Sequence, residues 1–362
     1  MEKILSTNCK IYGKRGTKKT VILDNKKSCG RIQFENETQI AGERTMKKRF
    51  VLILLAILLL SGCGPLQEKT EKIQIVATIF PLYDFAREIA GEDAEVKMLL
   101  KPGAEVHSYE PTPQDIIAIQ NCDVFLYIGG ESDEWVRNVL SSVDTSRMQV
   151  LTLMDCVDAA EEAESGFAWS GEDGHDHDHD GHDHGDAEYD EHIWTSPKNA
   201  ILMAEAIGKA IQAADRGSAE YYQTHTEEYT EKLRALDSEL TKTVKEAKRD
   251  LLIFADRFPF LYLARDYGLE YYAAYPGCSS EAEPSAATVA AIIEEVKQSG
   301  VPAIFYIELS NRLMADTIAE ATGAEELLLH SCQNVSKEEF ERGESYLSLM
   351  EQNIKMLKIA LN

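Results

Sequence analysis

The stretch from Ser218 to Ala247 constrains the fold most. Tyr222, Thr226, Tyr229, Leu233, Leu236, Leu240, Thr243 and Ala247 recur at alternating steps of four and three, which draws one narrow apolar stripe along an α-helix. Ser218 is a suitable N-cap. At about 1.5 Å per residue, such a helix reaches about 45 Å. That is too long to sit inside one small lobe, so the helix is expected to lie along two. A coiled-coil dimerisation helix is the competing reading, but a stripe of about four heptads is short for one. The chain is read as a monomer.

On either side of this helix, short apolar runs alternate with helical patterns, which argues for parallel α/β lobes. Before it, strands are expected at 73–78, 95–100, 123–128 and 149–153, with helices at 82–90, 112–120 and near 134–140. After it, strands are expected at 251–255, 269–274, 302–307 and 326–329. Helices follow from Pro284 to Ser299, from Asn311 to Thr322 behind a Ser310 cap, and from Tyr346 to Leu361. The expected fold is therefore α/β: an N-terminal lobe over 73–216, a linking helix over 217–248 and a C-terminal lobe over 249–362. Residues of about 161–191 break the pattern. They are acidic and contain Gly-His-Asp-His-Asp-His-Asp-Gly-His-Asp-His-Gly at 174–185, a composition unable to form a packed core. A disordered surface loop is expected there.

Met46-Lys47-Lys48-Arg49, the apolar run from Phe50 to Leu60 and the closing Leu60-Ser61-Gly62-Cys63 read as a secretory signal that is too short to span a bilayer. The last four residues look like a lipobox, in which Cys63 carries lipid and becomes the mature N-terminus. Residues 46–62 are then the signal peptide and 63–72 a polar tether. Residues 1–45 are read as a mis-called upstream extension, with translation starting at Met46. The body is expected on the outer face of the cytoplasmic membrane, anchored through Cys63. The whole chain carries a formal charge of −25 although its first 62 residues are net basic. An acidic body disfavours nucleic acid and anionic membrane surfaces as partners.

Of the seven cysteines, none forms a CxxC pair, so thiolate knuckles and thioredoxin-like chemistry are not expected. Export permits disulfides, and Cys278 and Cys332, both in the second lobe, are a possible pair. Cys122 is read as merely buried. Among the nine histidines, His175, His177, His179, His182 and His184 lie in the acidic loop, where imidazoles can gather ions at high local concentration. His225 lies mid-helix between threonines and is read as facing solvent. Position singles out the rest. In open parallel sheets, ligands bind beyond the carboxyl ends of strands. His107 follows the strand ending at Leu100, His330 follows Leu329, Asp256 follows Ala255, and His192 precedes a helix. Three imidazoles and a carboxylate would complete a tetrahedral zinc site.

The chain resembles the zinc and manganese solute-binding lipoproteins of ABC importers. The resemblance rests on Ile79-Phe80-Pro81-Leu82, Pro102-Gly103, His107 to Pro113, Asp190-Glu191-His192-Ile193-Trp194 with Pro197, and Tyr262-Leu263-Ala264 with Tyr267-Gly268-Leu269. Glu283-Pro284-Ser285, Ile307-Glu308 and Tyr346 to Asn353 complete it. It implies two (β/α) lobes bridged by a rigid backbone helix, with one metal between them, and the His-rich loop resembles that of the zinc-specific members. The implied partners are a permease and its ATPase. His107 and His192 match the first two ligand positions of the family. His330 matches the position where members usually carry Asp. The remaining ligand position is Arg257, whose guanidinium offers a metal no lone pair. The expected compensation is an imidazole from His330, with Asp256 as the carboxylate or as a partner of Arg257, and with Glu308 or water as the other candidates for the fourth place.

A binding protein for Zn2+, with Mn2+ less favoured because nitrogen donors dominate, is thus expected, with no chemistry of its own. Zinc hydrolysis is the contrary reading, since three histidines and a water also make a catalytic site. Against it stand the missing HExxH and GxSxG patterns. Cell adhesion on the same scaffold is a further alternative.

Overall fold

In this computed structural model, residues 72–162, 167–168, 189–275 and 285–362 are described. The expected signal peptide, tether and Cys63, the histidines at 175–184, Cys278 and the Glu283-Pro284 pair lie outside them. The described residues form one compact unit.

Two open sheets carry the fold. The first runs β1 (Ile73–Ala77), β2 (Ala94–Met98), β3 (Val124–Tyr127) and β4 (Gln149–Thr152) in the order β2-β1-β3-β4, with every pairing parallel. The second contains β5 (Phe167–Ala168), β6 (Leu251–Phe254), β7 (Glu270–Ala273), β8 (Ala303–Tyr306) and β9 (Glu325–Leu328) in the order β5-β7-β6-β8-β9. Only the short edge strand β5 is antiparallel. Without β5, the second sheet repeats the order of the first. Strands β1, β3, β6 and β8 read IQIVA, VFLY, LLIF and AIFY, near-continuous apolar runs suited to a sheet covered on both faces.

Helices α1 (Phe80–Ala90), α2 (Pro113–Asn121), α3 (Glu134–Ser142) and α4 (Pro197–Ala214) belong to the first half. Thr112 caps α2 in a reciprocal box with Asp115, as its Thr-Pro-x-Asp start requires. Helix α5 (Ala219–Glu246) is the long one, 28 residues, or about 42 Å. Its stripe is the expected one: Tyr222, Thr226, Tyr229, Leu233, Leu236, Leu240 and Thr243 are buried. Helices α6 (Leu261–Tyr267), α7 (Ala286–Ser299), α8 (Leu313–Thr322), α9 (Lys337–Arg342) and α10 (Tyr346–Ala360) complete the chain. One apolar core runs through both lobes, from Ile75 and Leu126 of the first sheet through Tyr229 and Leu233 of α5 to Phe254 and Phe305 of the second. Each sheet also has an outer core of its own, around Val76 and Phe125 in one lobe and Ile253 and Ile304 in the other. The lobes therefore share a packed interior along α5.

Three local expectations are corrected. Ser218 makes no side-chain cap on α5; the neighbouring Asp215 carboxylate instead accepts from Gly217 N–H and the Tyr222 hydroxyl, each at 3.0 Å. Helix α8 starts at Leu313 behind Arg312, which sits at φ 61°. Ser310 accepts from Arg312 N–H at 3.1 Å and so shapes the turn before the helix instead of capping it. His225 is half-buried, its ring 4.0 Å from that of Tyr221. Cys122 is buried as expected, with its sulphur against Met148.

Helices α4 and α5 cross closely at Gly208. A Cβ there would meet Thr226 Oγ1 at 2.2 Å and Cγ2 at 2.7 Å. Gly208→Ala is therefore expected to lower unfolding stability by about 1–3 kcal/mol, read from the denaturant midpoint at unchanged slope, although alanine is the better helix former.

Candidate metal centre

A sheet ordered β2-β1-β3-β4 has its switch point between β1 and β3, where ligands collect beyond the carboxyl ends of the strands. The chain leaves β3 through Gly129 at φ 104°, where a Cβ would lie 2.4 Å from Thr152 Cγ2. Only glycine fits that turn. The Asp133 carboxylate then accepts from Ile128 N–H at 2.7 Å and Gly129 N–H at 3.3 Å and fixes the loop. Burial pushes the Asp133 carboxyl up to about 7 despite these bonds, and nearby Glu191 adds to the shift.

This loop presents Ser132 to two other segments. The Ser132 hydroxyl donates to Glu191 Oε1, and its N–H donates to Glu191 Oε2 at 3.1 Å. His107, on the loop after β2, has Nδ1 3.1 Å from Ser132 Oγ. Because that hydroxyl gives its proton to Glu191, it accepts from His107 Nδ1–H, which puts the metal-binding lone pair on Nε2. His192 is fixed the same way: Asp190 Oδ1 accepts from its Nδ1 at 3.0 Å and from its backbone N–H at 2.7 Å. A carboxylate on the far nitrogen is the usual orienting partner of a metal-ligating histidine. The rings of His107 and His192 lie 6.4 Å apart. His107, Glu191 and His192 each offer one ligand atom, and these atoms all lie within 4.8 Å of one another. Glu191 and His192 are buried and His107 is half-buried.

The group borders a cavity of about 460 Å³. Glu131, Asp133, Glu134 and Glu162 make its other walls acidic, with Arg137 the only Lys or Arg among the described residues that line it. Glu162 and Tyr189, which flank the segment holding His175, His177, His179, His182 and His184, both line it.

The other two expected ligands are placed differently. His330 is buried in the second lobe, with its backbone bracketed by the Asn353 amide. Its Nδ1 accepts from Cys332 N–H at 2.9 Å, which leaves the ring proton on Nε2, 3.7 Å from Glu339 Oε2. His330 beside it draws the Glu339 carboxyl down to about 2. A ring that keeps its Nε2 proton and commits Nδ1 to an N–H has no lone pair to give. Asp256 accepts from Arg257 N–H at 2.8 Å and Ile307 N–H at 3.3 Å, across the switch point of the second sheet. Neither His330 nor Asp256 joins the three-residue group. The Arg257 guanidinium pairs with Glu105 at 3.5 Å, and Glu308 accepts from Ser331 N–H and hydroxyl. Cys332 is a buried free thiol, and Cys278 lies outside the described residues.

Sequence reasoning passed over Glu191 and Ser132 as site residues. The acidic run Asp190-Glu191-His192 was the only available signal for Glu191. Ser132 had none, since its role comes from the turn after β3.

Residues 75–360 match the family model described as zinc-uptake complex component A, periplasmic, or ZnuA. The chain is 33% identical over 317 residues to the zinc-binding lipoprotein AdcA of Streptococcus pneumoniae, covering 86% of this chain and 61% of that relative. It thus spans about three fifths of the length of this curated relative. It is 32% identical to the high-affinity zinc uptake system protein ZnuA of Bacillus subtilis, covering 86% of this chain and 96% of that one. The crystal structure of the Zn(II)-bound ZnuA-like domain of the pneumococcal AdcA superposes with a TM-score of 0.65 at 29% identity, over 80% of this chain and 99% of that domain.

Removing a donor from the three-residue group should matter more than removing the committed imidazole. Glu191→Gln is expected to weaken divalent-metal binding by at least about 10-fold, and His330→Ala by less than Glu191→Gln, as measured by competition with a chromophoric chelator.

Proposed function

The chain belongs to the family of periplasmic zinc-uptake components, and we propose that it captures a zinc ion outside the cytoplasmic membrane and passes it to an ABC-type importer. The observation that carries this reading is the convergence of His107, Glu191 and His192 within 4.8 Å, from the loop after β2 and the segment before α4, in an α/β lobe that shares its core with a second. Zinc is the cargo, and the site binds and releases it without chemistry of its own. Two imidazoles and one carboxylate suit zinc better than manganese, which prefers oxygen donors. A fourth, tetrahedral position is left to water.

The surroundings fit a transported cation. The cavity beside the group is walled by carboxylates, which attract divalent ions over short range. The flanking residues of the His-rich segment open onto the same cavity, in support of the role proposed for its five histidines: gathering ions near the tight site. A lipid on Cys63 would hold the body at the outer membrane face, within reach of a permease and its ATPase.

Imidazoles must be unprotonated to bind metal, so protons compete with zinc. The apparent zinc affinity of the purified protein is expected to fall steeply below about pH 6, where imidazole ordinarily protonates. Replacing both His107 and His192 with Ala should abolish tight binding in calorimetry and leave the weaker sites. Retention of wild-type affinity by that double variant would refute the reading.

A further inference from the structure

His107 sits on a loop of the first lobe, residues 101–107, and the second lobe grips that loop. Asn334, two residues beyond buried Cys332, donates through its side-chain amide to Lys101 C=O at 2.9 Å and to Ala104 C=O at 2.8 Å. Its own Oδ1 accepts from Val335 N–H at 2.8 Å. Both amide donors and the amide oxygen are thereby engaged. Next to it, Gly103 N–H donates to Val335 C=O at 2.7 Å, and Phe80 N–H donates to Gln333 C=O at 3.3 Å. Asn334 is buried, 2% exposed. The ion pair between Arg257 and Glu105 at 3.5 Å spans the same two lobes. On the far side of the loop, His107 meets Ser132 and the metal group.

A loop that carries a ligand holds its geometry only if its backbone is tied down, and here the ties come from the opposite lobe. We propose that Asn334 is a positioning residue for the metal centre: it fixes the 101–107 loop from the second lobe, and so couples zinc occupancy at His107 to the contact between lobes. The proposal rests on the three-residue site argued above. By linkage, whatever fixes the loop raises zinc affinity, and zinc in turn tightens the loop's grip on the second lobe.

Orienting partners of this kind change metal affinity by about 10- to 100-fold when removed. Asn334→Ala, which deletes both donors, is expected to weaken zinc by about that factor at unchanged stoichiometry. Asn334→Asp, nearly isosteric but with oxygen lone pairs facing two carbonyls, should weaken it at least as much. The decisive readout is a double-mutant cycle with His107→Ala. If Asn334 acts through His107, then adding Asn334→Ala to His107→Ala costs less than about twofold further in zinc affinity; general loosening of the fold would cost the same factor in both backgrounds and overturn the proposal. Hydrogen exchange of the unmutated protein gives a second test. Zinc should slow exchange at the Gly103 amide, and tight zinc binding with no change there would contradict the coupling. A His107→Ala variant that binds zinc as tightly as wild type would instead sink the metal site itself. Normal zinc binding by Asn334→Ala, beside a weakened His107→Ala, would sink only the role of Asn334.

Discussion

Metal geometry here depends on keeping two loops and one turn in register, and most of the bonds that do so come from outside the loops. The segment 190–196 is clamped to the second lobe: the Tyr262 hydroxyl donates to Asp190 C=O and accepts Ala160 N–H, Trp194 Nε1–H donates to Ser331 C=O, and the Tyr346 hydroxyl donates to Trp194 C=O. These bonds are 2.7 to 3.0 Å long, and Trp194, Tyr262 and Tyr346 are fully buried. A buried, fully satisfied network is costly to break one member at a time. His192 therefore sits on a rigid mount even though no strand or α-helix carries it.

The shared core explains why such bonds can form. Two lobes joined only by a linker would let strand-end loops drift apart. Here α5 packs against α4, α1 and α10, and a single apolar cluster runs from one sheet to the other. α10 returns to the first lobe, where Asp84 accepts Tyr346 N–H at 2.8 Å. Burial raises the Asp84 carboxyl to about 6 even beside Arg87, a sign of how little water reaches that junction. Relative motion of the lobes is limited accordingly, and the metal group stays preorganised.

Much of this was legible in the residues. The four-and-three stripe of α5, the apolar strands and the glycines closing helices depend on local periodicity, so the fold class, most strands and the long helix could be read directly. His107 was legible because strand ends in parallel sheets are where ligands collect, and His192 because it stands in a loop just before a helix. The second half of the site was less so. His330 and Asp256 occupy equivalent strand-end positions, but His330 Nδ1 is committed to the Cys332 backbone N–H and Asp256 is held at the switch point of the second sheet by the Arg257 and Ile307 N–H groups, and no sequence pattern announces such an arrangement. Glu191 enters through a turn built by Ser132 and Asp133, and Asn334 through a contact more than two hundred residues away along the chain. These are tertiary facts.

Zinc-loaded crystals measured on both sides of the zinc absorption edge address the central claim most directly. An anomalous peak lying about 2.0–2.2 Å from ring nitrogens of His107 and His192 and from a Glu191 oxygen is the expected result. A peak bonded to His330 and Asp256 instead, or one touching neither His107 nor His192, would contradict it.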